Sequence, residues 1–168
     1  GARMGPEAMR VAGLQAALER HGLQVHDLGN LAGPANPWLP PENGYRHLAE
    51  VVAWNQAVHD AMLAELQRQR LPILLGGDHC LGLGSISAVA RHCRAVGKKL
   101  RVLWLDAHAD FNTNDLTPSG NLHGMPVACL CGLGPRPLVE MGGQVPALNP
   151  KWIRQIGIRS VDPGEKRL

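Results

Sequence analysis

A chain of 168 residues with 45% hydrophobic content and a formal net charge of +3 has enough apolar material for one domain with a substantial core. It carries no long basic run and no apolar stretch of membrane-spanning length, so nucleic acid, an anionic membrane surface and a bilayer are poor partners for it. Without a secretory pattern at its start, and with Cys80, Cys93, Cys129 and Cys131 lacking CxxC spacing, it reads as a cytoplasmic protein with reduced, packed thiols.

The spacing predicts an amphipathic helix over residues 6–21, with Pro6 in its first turn and Gly22 just past its end. A short strand is expected over 23–28, and residues 29–43 are a loop rich in Gly, Pro and Asn. A long helical pattern fills 45–70, and the compact apolar run 71–75 reads as a buried parallel strand ending in Gly76-Gly77-Asp78-His79. A helix over 83–96 leads to a second buried strand, 100–105, which ends in Asp106-Ala107-His108-Ala109-Asp110. Residues 122–130 are expected to be helical, 132–150 to be a Gly/Pro-rich connection, and 152–158 to be another strand leading into Asp162.

Alternation of strand and helix predicts an α/β fold of three layers, with a mostly parallel central sheet flanked by helices. Each polar motif follows the C-terminal end of a predicted strand, the edge where open α/β sheets bind ligands. Along an extended segment, side chains at i, i+2 and i+4 share a face, so Asp106, His108 and Asp110 are expected to point together. Two carboxylates and an imidazole suit Mn²⁺, with Zn²⁺ or Fe²⁺ possible, and His79 from the neighbouring strand end is the natural fourth ligand. Their alternative use is as a solvated strand end whose aspartates cap the next element. Convergence of four such groups at one rim favours the metal, and a pair of metals activating water makes hydrolysis the expected chemistry. Neither a nucleophile elbow nor a phosphate loop is present. The polar stretch 112–123 can grip a small ligand or serve as a turn-rich connection.

The pieces GPEAMR (5–10), GGDH (76–79), DAHAD (106–110), SGNLHGMP (119–126) and IGIRSVDPGE (156–165) occur in an order that resembles the ureohydrolases, the arginase, agmatinase and formiminoglutamase family. Asn112, the SGNLHG segment and VDPGE make the resemblance strongest to the arginases. The resemblance implies hydrolysis of L-arginine to L-ornithine and urea by a hydroxide bridging two Mn²⁺ ions. It implies metal ligation by His79, Asp106, His108 and Asp110, with Asp106 bridging the ions, and proton handling by Asp110 and His123. Asn112 and Ser119 match residues that contact the substrate α-carboxylate, and Asp162 matches the contact to its α-amino group. A homotrimer or homohexamer is implied as well.

Two features depart from the family pattern. Ala109 stands where threonine is common, and these 168 residues carry neither the second Asp-x-Asp pair nor the guanidinium-pairing Glu. The chain therefore reads as one ureohydrolase domain, 1–168, incomplete at both ends and inactive by itself. Agmatinase, or hydrolysis of another guanidino compound, is the alternative reaction; an inactive scaffold or arginine-binding protein is the alternative of another class.

Overall fold

In a computed structural model, which describes residues 3–168, the first helical pattern is two helices rather than one. α1 (Gly5–Val11) and α2 (Leu14–Glu19) are separated at Gly13, whose φ of +79° is left-handed and breaks the repeating helical bond pattern. α1 is tied to the loop beyond α2 by Arg10, which donates two bonds to the Asp27 carboxylate at 2.6 and 3.0 Å. That pairing holds the Asp27 pKa down at about 2.

The core is built on α3 (Leu48–Gln67) and α4 (Leu81–Ala95). α3 buries Asn55, Val58 and His59 at the three- and four-residue spacing of one helix face, and α4 offers the small Gly84, Ser87 and Ala88. Small residues allow the two backbones to come close. Asn55, fully buried, uses that proximity: its Oδ1 accepts from the Gly84 backbone N–H at 2.7 Å, while its Nδ2 donates to the Val51 carbonyl. A first-turn amide of α4, which has no partner of its own helix, is thus satisfied across the seam.

β1 (Val102–Leu105) and β2 (Ile153–Ile156) form a parallel pair, Val102 opposite Ile153 through Leu105 opposite Ile156. Alternation puts Val102 and Trp104 on one face and Leu103 and Leu105 on the other. Val102 and Ile153, like Ile86 of α4, pack against the cluster of Leu130 from α5 (Pro126–Leu130), Ala147 and Leu148. Leu103, Leu105 and Ile156 remain exposed. The structure is thus a parallel sheet flanked by helices, as the alternating pattern predicts.

Several local expectations change. Residues 23–28 and 71–75 join no ladder, and Leu71 and Ile73 are exposed rather than buried. The predicted helix over 122–130 is a 3₁₀ turn, Leu122–Gly124, followed by α5, because Pro126 lacks the N–H that would continue it. Inside the predicted connection sits one short helix, α6 (Arg136–Val139). All four cysteines are free, and burial pushes the Cys129 thiol up to about 12.

Asn55→Ala leaves a buried amide without a partner and opens a small void. The expected loss is about 2–4 kcal/mol of stability, read as a lowered midpoint in urea unfolding.

Candidate metal centre

The β1–β2 ladder does not stop at its named strands. Asp106 N–H donates to the Ile156 carbonyl at 3.1 Å, Arg159 and Ser160 N–H both bond the Ala107 carbonyl, and His108 bridges Ser160. This continued pairing keeps 106–108 extended and delivers Asp106 to the rim. Asp110 leaves the extended path, with a φ of +49°, a conformation aspartate tolerates better than most residues. The shared face expected of i, i+2 and i+4 therefore ends before its last member. Asp110 reaches the same place by a turn of the backbone instead.

That turn is held from several sides. Gln155 donates to the Ala109 carbonyl at 2.6 Å, Val127 N–H donates to the Asp110 carbonyl, and Phe111 N–H donates to Glu165 Oε1 at 2.9 Å. The result is a buried carboxylate, 5% exposed, facing an imidazole from another segment. His79 Nδ1 lies 2.8 Å from Asp110 Oδ2 and 3.0 Å from Asp106 Oδ2. Its ring stacks on Trp104 with centroids 4.6 Å apart.

Proximity here is not hydrogen bonding. Asp110 Oδ2 is buried without a hydrogen-bond partner although His79 Nδ1 is beside it. Ligand atoms on one ion, at right angles with bonds of ~2.1 Å, sit ~3 Å apart. His79 Nδ1 has that spacing to both carboxylates, the three ligand atoms all lie within 4.8 Å of one another, and these oxygen and nitrogen donors suit Mn²⁺, so the residues fit a metal ion. His108 stands further out: it is exposed, its Nδ1 is 3.3 Å from Asp106 Oδ1, and it is outside the compact triad. Asp106 thus turns one oxygen to each imidazole.

Electrostatics follow from this geometry. Contact with the Asp110 carboxylate, then its charge and that of Asp106, raises the His79 pKa above the usual imidazole value against the opposing effect of burial. Burial pushes Asp106 up, but the His108 backbone N–H and the His79 charge outweigh it and hold the carboxyl below its ordinary range.

Beside the triad opens a pocket lined by Asp110, Asn112, Ser119, His123, Asp162 and His108, with Thr117 and Asn121 among its other walls. All the residues singled out beyond the rim ligands thus face one space. Asn112, buried, donates from Nδ2 to Asp162 Oδ2 at 2.9 Å, and its Oδ1 has no partner. His123, exposed, is 3.8 Å from Asp78. Sequence spacing gives no sign of what Trp104 or Gln155 touches, and Glu165 proves to be a clamp: it accepts from Phe111 N–H and, at 2.7 Å, from Asp162 N–H.

Fold and rim together define an α/β protein with a candidate metal centre at the C-terminal edge of a parallel sheet. The sequence model of the Arginase family matches residues 1–168, so the chain belongs to the arginase family, whose members are metal-dependent. It is 40% identical over 169 residues to the arginase of Bacillus caldovelox, covering 99% of this chain and 55% of that protein. It is 42% identical over 173 residues to the arginase of Brucella melitensis, covering 99% and 54%. The crystal structure of Bacillus caldovelox arginase superposes with a TM-score of 0.91, at 40% identity, over 98% of this chain and 54% of that one. Entamoeba histolytica arginase, in complex with L-ornithine, matches with a TM-score of 0.86 at 36% identity, over 99% and 55%. The chain therefore spans about half the length of the relatives it matches.

Ligation needs His79 unprotonated, and its pKa is raised, so Mn²⁺ affinity is expected to climb with pH through the His79 titration and to fall as the ring takes up its proton. Calorimetric titration with Mn²⁺ at several pH values checks this. Trp104→Ala, which removes the surface under the ring, is expected to weaken binding about tenfold, and His79→Ala to weaken it further.

Proposed function

We propose that the chain carries the ligand-bearing part of a manganese-dependent arginine hydrolase, a single ureohydrolase domain over 1–168 that splits L-arginine into L-ornithine and urea. The observation that carries this reading is the orphaned Asp110 Oδ2 beside His79, opening on the pocket that Asn112, Ser119 and Asp162 line. His79, Asp106, His108 and Asp110 would hold two Mn²⁺ ions, with Asp106 shared because its two oxygens face different imidazoles. Bound there, the ions would supply a water of lowered pKa and stabilise negative charge as it develops.

The remaining work falls to side chains. Asp162 offers a carboxylate to the α-ammonium group of the amino acid, while Asn112 and Ser119 offer hydrogen bonds to its α-carboxylate. Without substrate, Asn112 Nδ2 already bonds Asp162, so the polar end of the pocket is preassembled. Water adds to the guanidinium carbon and the bond from that carbon to the ornithine nitrogen breaks; Asp110 takes the proton from the water and passes it to the departing nitrogen. Exposed His123 on the pocket wall exchanges protons with solvent. As in the family, a homotrimer or homohexamer in the cytoplasm is the expected setting; among the described residues no helix is long and apolar enough to cross a membrane.

Urea release with Mn²⁺ tests this reading, using L-arginine and agmatine, which lacks the α-carboxylate. Four ligands are few for two ions, so the 168 residues alone are expected to release little urea. A chain joined to the part of Bacillus caldovelox arginase outside the matched region is expected to turn over arginine about a hundredfold faster than agmatine. Faster agmatine turnover contradicts the substrate assignment, and robust turnover by the 168 residues alone contradicts the ligand set.

A further inference from the structure

The wall of the pocket that carries Ser119 is held from outside the metal-bearing rim as well as by the bond from Asn112 N–H to the Gly124 carbonyl. Residues 42–46 form a tight turn, closed by Glu42 N–H to the Tyr45 carbonyl at 2.8 Å and Tyr45 N–H to the Glu42 carbonyl at 2.9 Å. Tyr45 anchors it, packing on the cluster that contains Leu122 and Met125. From this turn the Arg46 N–H donates to the Gly120 carbonyl at 2.8 Å, and Arg46 bridges Asn121. Ser119 sits one residue before that contact. Its own neighbours add only local bonds: Thr117 Oγ1 accepts from Ser119 and Gly120 N–H, and Ser119 Oγ accepts from Asn121 N–H.

Space at the contact is minimal. Gly44 has a φ of +77°, and a Cβ on it would lie 2.5 Å from the Asn114 carbonyl oxygen, so the turn touches the start of the same polar loop as well. Gly120, at φ +71°, comes close to the Gly44 carbonyl in return. The 113–121 loop is therefore gripped at both ends by one five-residue turn, through contacts that only backbone can make.

We propose that the 42–46 turn, through Gly44 and the Arg46 amide, is the positioning element that sets Ser119 against the α-carboxylate end of the substrate and so selects guanidino compounds bearing that carboxylate. This rests on the arginine reading given above. Neither Gly44 nor the Arg46 amide touches substrate; both act through the loop.

The test compares Gly44→Ala with Gly22→Ala, which has nearly the same φ of +78° but nothing within 4 Å of the added Cβ, and so carries the backbone strain without the collision. With Mn²⁺ present, calorimetry is expected to show that Gly44→Ala weakens L-arginine binding tenfold or more, while agmatine and Mn²⁺ affinities change less than twofold and Gly22→Ala alters none of the three. Equal losses for arginine and agmatine, or no loss, overturn the proposal. Should neither the unaltered chain nor the joined chain described above bind a guanidino compound, the arginine reading fails instead. Amide exchange then decides the positioning claim: faster exchange at Arg46 and Asn121 in Gly44→Ala alone supports it, and unchanged exchange there overturns it.

Discussion

Two carboxylates held beside one imidazole at a sheet rim are the constraint on which the rest of this structure turns. Asp106 and Asp110 both direct an oxygen at His79 Nδ1, and the Asp110 oxygen, 2.8 Å from that nitrogen, is buried without an aligned hydrogen-bond donor. Like charges so placed repel, and an orphaned buried carboxylate oxygen costs a few kcal/mol, so the arrangement is favourable only with positive charge among the three side chains. A protonated His79 supplies part of that charge. A divalent cation supplies more and satisfies the orphaned oxygen directly.

Much of the surrounding structure serves to hold this unfavourable arrangement in place. Asp110 sits in a left-handed conformation fixed on both sides, by Gln155 from β2 on the Ala109 carbonyl and by Glu165 on the Phe111 amide. Glu165 also bonds the Asp162 amide, so one carboxylate links the metal-bearing turn to the substrate end of the pocket. Trp104, facing inward from β1, gives His79 a flat surface that fixes its ring plane. Residues remote in sequence thus restrict both rotation and translation of the cluster, which is what a preorganised site requires.

How much of this was legible beforehand differs by residue. Asp106 and Asp110 follow from the end of β1 and ligand chemistry, whereas His79 follows from ligand chemistry alone, because residues 71–75, whose end was expected to carry it, join no ladder. Asp110 was legible as to place and not as to path: the alternation rule assumes an extended backbone, and the left-handed φ at 110 breaks it. The helix over 6–21 failed for a related reason, since Gly13 fits the apolar spacing while adopting a conformation no helix continues through. Residues 71–75 have the composition of a buried strand yet pair with nothing here, because a ladder depends on a neighbour and composition does not name one. Asn55 and Trp104 fall on the inward faces that spacing assigns them, but what they and Gln155 touch carries no pattern. Their roles come from contacts between segments 25 to 46 residues apart for Trp104 with His79, Asn55 with Gly84 and Gln155 with Ala109.

Anomalous scattering from crystals of the chain grown with Mn²⁺, recorded on both sides of the manganese edge, tests the central claim most directly. The account predicts a peak among His79 Nδ1, Asp106 Oδ2 and Asp110 Oδ2, within bonding distance of all three. A rim that stays ordered at saturating Mn²⁺ with no peak there, and His79 hydrogen-bonded to Asp110 instead, would contradict it.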